Sequence, residues 1–214
     1  MLQSGEIAAD TAIDCLLSDK VSGAYAKELV IEENRKCDLC IVDLTNSDLD
    51  VKIRLSLKKG ASCNVNLASV CPQKRKKRFT IDVVHEEPDT YSRTKMAGIN
   101  LGDGTLFFYG TSDVWKGAHG SDTRQEGKIT NLSPGSRSEV SPALLIKDNE
   151  VNASHGAALG AYDPEAMYYM MSRGLTEAES RKLITIGSLI PVIDAINNKE
   201  LAETAMKSLE ALDL

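Results

Sequence analysis

His155 stands in Ser154-His155-Gly156-Ala157-Ala158-Leu159-Gly160, one of three histidines in the chain and held among small residues. A neutral imidazole is a good metal ligand and titrates near neutrality, so a ligand or proton carrier fits there. The plainer reading is a histidine that caps a loop by bonding a carbonyl. Cysteines supply the next candidates. Cys37-Asp38-Leu39-Cys40 has the spacing of a redox pair or of half a zinc site. The segment reads as a strand, however, and strand residues three apart point to opposite faces. Cys63 and Cys71 are too far apart to form a second knuckle, so buried, inert thiols are expected at Cys37 and Cys40. The five cysteines are odd in number and accompany no secretion signal, which makes reduced thiols the expectation. Lys74-Arg75-Lys76-Lys77-Arg78 is the one dense basic run. Its place after Pro72 and before a strand reads as a solvated loop, with an anionic partner surface as the alternative.

The elements that must position these residues divide into two styles. From residue 25 to 155 the chain reads as short strands: Glu28–Ile31, Asp38–Leu44, Val51–Leu57, Cys63–Val70, Arg78–Val84, Lys95–Asn100, Thr105–Tyr109, Lys128–Leu132 and Ala143–Ile146. Val51-Lys52-Ile53-Arg54-Leu55-Ser56-Leu57 alternates strictly, which buries one face and wets the other. Turn residues separate the strands at Lys59-Gly60, Leu101-Gly102-Asp103-Gly104 and Ser133-Pro134-Gly135. No helical period interrupts them, so a sandwich, a barrel and a solenoid of stacked strands all stay open. After His155 the pattern turns helical. Asp163 and Pro164 suit an N-cap and first turn, and Gly174 suits a left-handed stop. Thr176-Glu177-Ala178-Glu179 is a capping box. The helix it opens carries Leu183, Ile186, Leu189, Ile190, Ile193 and Ile196, a wide apolar stripe that suits either a core or a docking face. Pro191 is expected to kink or split it. A last amphipathic helix is expected from about Lys199 to Leu212.

Bulk properties narrow the classes. A length of 214 residues suits one domain with a small appendage. A net charge of -6 argues against nucleic-acid binding, which needs a basic footprint. No apolar run is long enough to span a bilayer, and Met1–Glu6 lacks a signal-peptide start, so a cytoplasmic, soluble chain is expected. Nucleotide-binding loops, a serine nucleophile elbow and a His-Glu-x-x-His zinc motif are absent from the sequence. A carbohydrate-active solenoid enzyme would need clustered acids on one face, and no repeated set of Asp or Glu is present. Without these motifs and acids the chain reads as a non-enzyme, with a plain structural solenoid among the open readings.

Several segments together resemble the SufB/SufD family, the scaffold proteins of SUF-system iron–sulfur cluster assembly. The match runs from Pro142-Ala143-Leu144-Leu145-Ile146 through Val151-Asn152-Ala153-Ser154-His155-Gly156-Ala157 to Gly160. It continues through Met167-Tyr168-Tyr169-Met170-Met171-Ser172-Arg173-Gly174-Leu175-Thr176-Glu177-Ala178-Glu179-Ser180. His85-Glu86-Glu87-Pro88, with Ser92 and Gly98, resembles the family's His-x-x-Pro segment. The resemblance covers roughly residues 25 to 205 in order, and its pieces are specific only jointly.

What the resemblance implies is a right-handed parallel β-helix over residues 1–160, followed by a small C-terminal α-helical domain over 161–214. It implies an ABC-type ATPase, SufC, docked on that domain, with Met167, Tyr168, Arg173, Leu183, Ile186, Leu189 and Ile190 as the candidate contacts. It further implies pairing through the β-helix with a SufB-like scaffold or with a second copy. No tightly bound cofactor is expected; a transient iron–sulfur cluster is the implied cargo, with His155 as its candidate metal or assembly residue. SufB-type chains carry a cysteine about twenty residues upstream and a Glu after the histidine; Ser136 and Gly156 stand at those positions here. The chain is therefore more SufD-like. Family members also carry a long N-terminal region, whereas this chain begins almost at the β-helix, so either a minimal or a partial family member is expected.

Overall fold

Alternation of apolar and polar residues is carried here by twelve strands, and three helices follow them. The computed structural model describes residues 3–17 and 21–212; Met1 and Leu2 of the N-terminal stretch lie outside these. The strands are β1 (Gly5–Ile7), β2 (Thr11–Leu17), β3 (Gly23–Ile31), β4 (Lys36–Asp43), β5 (Leu49–Leu57) and β6 (Ser62–Cys71). They continue as β7 (Lys76–His85), β8 (Tyr91–Asn100), β9 (Thr105–Val114), β10 (Asp122–Asn131), β11 (Arg137–Ile146) and β12 (Asn152–Ala161). The helices are α1 (Pro164–Ser172), α2 (Glu177–Ile193) and α3 (Lys199–Glu210).

Odd strands form one six-stranded sheet and even strands the other, and every pairing is parallel. Each strand thus hydrogen-bonds to strands two places away in the chain. That topology is a β-solenoid of about five turns, and it excludes the sandwich and barrel that periodicity left open. In β5 the inward set Leu49, Val51, Ile53, Leu55 and Leu57 is buried while Asp50 and Lys52 face solvent. Stacking such rungs fills the lumen with Leu29, Leu39, Val65, Ile81, Phe79 and Phe108, the last two edge-on at 6.0 Å.

One corner of each turn needs a left-handed residue. Asn34, Gly60, Asp89 and Gly120 all have positive φ, and each donates its backbone N–H to the next turn's loop. A Cβ on Gly60 would run into the Asn34 side chain below it, so glycine is required there by space as well as by φ. Carboxylates tie other turns together: Asp10, Asp48 and Asp103 accept from the backbone N–H of Lys36, Lys76 and Lys74.

The observed elements differ from the sequence reading in three places. Strands β1 and β2 precede the expected start. Residues 152–161, beyond the last strand read from the sequence, are a full strand; Gly156 and Gly160 weaken strand propensity, yet pairing with β10 along its whole length holds them extended. Pro191 does not split α2, which runs on to Ile193. Pro142 fits strand β11 because that strand is a sheet edge.

Candidate functional site

The terminal rung of the solenoid, β11 with β12, is open. Both strands are edges of their sheets, and every residue of β12 is exposed. Register places His155 beside Gln125 of β10, and Gln125 points inward and is 2% exposed. In-register parallel strands share their pleat, so His155 lies on the lumen side, at the rim of the mouth. Leu159 pairs in register with the inward Ile129, which puts it on the same rim, 51% exposed. Leu145 and Ile146 of β11 are also exposed. An apolar rim beside two rows of unpaired backbone groups is a template for adding strands from another chain. His155 makes no hydrogen bond with any described residue, so the loop-carbonyl capping role does not describe it. No cluster of three or more His, Cys, Asp or Glu able to hold a metal is present among the described residues. Ser136 lies at the start of the rung, donating to the carbonyls of Asn100 and Gly102.

Beneath the mouth the lumen turns polar. His85, Thr90, Ser92, Ser112, Ser121, Thr123 and Gln125 are all buried. His85 Nδ1 sits 2.7 Å from Thr90 Oγ1 and Nε2 sits 2.9 Å from Ser92 Oγ. Burial holds the imidazole pKa down to about 4, with a small opposing pull from Asp122. The folded protein therefore carries His85 neutral. An unfolded chain takes up this proton near pH 6.5, so between pH 6.5 and about 4 the unfolded state binds more protons and stability falls on acidification. The expected loss is about 3 kcal/mol, complete below pH 4 and absent above pH 7. Urea unfolding of the wild type and His85→Gln across that range checks it: the variant should lack this part of the slope.

The remaining chemical candidates are dispersed. Cys37 faces the lumen beside Cys63, whereas Cys40 lies on the opposite face under α2, its Sγ 3.4 Å from the Val192 carbonyl. Burial pushes the thiols up, Cys37 to about 11 and Cys40 to about 12, so neither is a thiolate at neutral pH. The basic run is not one solvated loop: Lys74 and Arg75 precede β7, whereas Lys76, Lys77 and Arg78 open that strand. Lys77 turns inward by alternation and is 1% exposed; Arg78 pairs with Asp50 and Arg75 with Asn46. Lys77 Nζ lies 2.7 Å from Asp43 Oδ2 and also donates to the carbonyls of Thr45 and Val70. Sequence reasoning missed this buried pair and the polar lumen. Their signal was present as parity: Asp43, Lys77, Ser92 and Ser112 all occupy inward positions of alternating strands.

The helices pack on the outside of the even sheet. Leu189, Val192, Ile193 and Ile196, with Ala205 and Leu209, seal against Cys40, Val42, Ala68, Val70 and Ile99. Most of the apolar stripe on α2 is therefore core. Of the candidate partner contacts, Leu189 and Met167 are buried, and Ile186 and Ile190 are half-buried. Leu183, Tyr168 and Arg173 are exposed, and Tyr169 and Met171 join them, with Arg173 stacked 5.2 Å over the Tyr169 ring. No described helix is long and apolar enough to cross a membrane.

The chain is thus a parallel β-solenoid whose terminal rung is open and carries His155, with helices packed on its even sheet. Residues 16–188 match the family described as "SUF system FeS cluster assembly, SufBD core domain", and the chain belongs to that family. It is 30% identical over 118 residues to the iron–sulfur cluster assembly protein SufD of Bacillus subtilis, covering 55% of this chain and 27% of that protein. It is 31% identical over 141 residues to an iron–sulfur cluster assembly SufBD family protein of Mycobacterium tuberculosis, covering 62% and 35%. A SufBD family protein of Mycobacterium leprae is 30% identical over 141 residues, covering 62% and 36%. The chain thus matches about a third of the length of these relatives.

Proposed function

We propose that this chain is a scaffold subunit of SUF-type iron–sulfur cluster assembly. It pairs through its open terminal rung with a second SufBD-type chain and docks an ABC-type ATPase on the exposed face of α1 and α2. The observation that carries the reading is His155 at the rim of the unpaired rung, inside the region of the family match. An edge strand of small residues, Ser154, Gly156, Ala158 and Gly160, lets another backbone approach closely, and the apolar rim supplies the buried area. Imidazole at that seam suits iron as a ligand or carries a proton during assembly. Movement of the ATPase against the helices would reach the solenoid through the packed face of α2.

His155→Ala tests the site. The side chain is exposed and unbonded, so stability should change by less than about 0.5 kcal/mol. The variant should still bind ATPase and second scaffold, while cluster formation in cells carrying it as the sole copy should fall at least tenfold. Undiminished assembly would remove His155 from the mechanism.

A further inference from the structure

Seven hydrogen bonds inside the lumen run head to tail in one sense, and their ends fix it. Gln125 Nε2 lies 2.8 Å from Ser112 Oγ and 3.0 Å from the Ala143 carbonyl. Only an N–H can face that carbonyl, so the amide nitrogen donates to Ser112. Each hydroxyl has one proton, and the far end sets the sense. Ser121 donates to the Ala118 carbonyl (2.7 Å), so Thr90 donates to Ser121 (2.7 Å) in preference to the Glu87 carbonyl at 3.3 Å. His85 is therefore the Nδ1–H tautomer and donates to Thr90 (2.7 Å), Ser92 donates to Nε2 (2.9 Å), Thr123 to Ser92 (2.7 Å) and Ser112 to Thr123 (2.7 Å). Gln125 Oε1, at the other end, is buried and has no partner.

A proton added at His85 Nε2 breaks this order. Ser92 can no longer donate to the ring, so it turns to Thr123, Thr123 to Ser112, and Ser112 to Gln125. The amide nitrogen cannot accept. The chain is completed in reverse only if the amide turns its free Oε1 toward Ser112, and the nitrogen then leaves the Ala143 carbonyl. That bond joins β10 to β11, one of the two edge strands. We propose that this one-way chain couples the protonation state of His85 to the order of the terminal rung, so that the neutral chain holds the pairing surface in place. The inference rests on the pairing role proposed for that rung and names how it is regulated. Other charged groups near His85 are already paired: Asp122 with Arg93, and Glu86 and Glu87 with Lys58. The imidazole is thus the titrating group of the chain, and Ser112 and Gln125 are positioning residues for β11.

Hydrogen exchange on the full chain, read strand by strand and corrected for intrinsic rate, tests the coupling without any partner. In the wild type, protection of β11 and β12 should fall from pH 7 to pH 4 at least tenfold more than that of β4 to β6, which follows only the global loss of stability. His85→Gln should flatten that dependence. Ser112→Ala should lower β11 and β12 protection already at pH 7 and remove the response to acid; Thr123→Val breaks the same chain should the first variant fold poorly. Acid-independent protection in the wild type, an acid response that survives in His85→Gln, or equal loss in all strands of the broken-chain variants would each overturn the proposal. Because the assay reads no partner, its failure leaves the pairing role standing, and failure of pairing leaves this result intact.

Discussion

Lys77→Ala should lower stability by about 3–5 kcal/mol, among the largest effects of any single substitution in this chain. Both Lys77 and Asp43 side chains are fully inaccessible, 2.7 Å apart. Lysine supplies three donors, and Asp43, Thr45 and Val70 take them. Asp43 in turn accepts from Ser69 and from the Thr45 hydroxyl and backbone N–H. Removing the ammonium leaves a carboxylate in the lumen with hydroxyl and amide donors but no countercharge. Replacing both partners, as Lys77→Met with Asp43→Leu, should recover most of the loss, because apolar side chains fill the same volume without desolvating charge. Urea unfolding measures both. A single-variant cost below about 1 kcal/mol would mean that water reaches the corner and that the pair is not a buried one.

The helices give the second large effect, as a contrast between two leucines on one helix. Leu189 is fully buried against the even sheet, whereas Leu183 is 47% exposed. Leu189→Asp puts an unpaired charge into that contact and should cost about 4 kcal/mol or more, releasing the helices while the solenoid stays folded. Limited proteolysis near residues 161–164, with strand signal retained by circular dichroism, reads the release. Leu183→Asp should leave stability within about 0.5 kcal/mol yet weaken ATPase binding at least tenfold. Unchanged ATPase affinity in a folded Leu183→Asp variant would move the docking surface away from α2.

Strand existence was legible because alternation survives in the middle rungs: Val51 to Leu57 shows its two faces in the letters alone. The solenoid was not, since parallel pairing between strands two apart leaves no local mark that separates it from a sandwich; the family resemblance supplied it. The terminal strand escaped because Gly156, Ala157, Ala158 and Gly160 are poor strand formers that depend on β10 for their hydrogen bonds. Caps were read correctly, down to the Thr176–Glu179 box, because capping is local chemistry. The role of the α2 stripe could not be read, because Leu183 and Leu189 are equally apolar and only the position of the even sheet decides which is covered. His155 was legible as a candidate, but its place on the lumen rim follows from register with Gln125, a relation across thirty residues of chain.

Purification of the tagged chain from its native cells, with the stoichiometry of its bound subunits determined by native mass spectrometry, tests the scaffold assignment most directly. The predicted result is a stable complex holding an ABC-type ATPase on the helical end and a second SufBD-type chain, or a second copy, on the terminal rung. Recovery of the chain as a monomer, with neither subunit bound at cellular concentration, would contradict it.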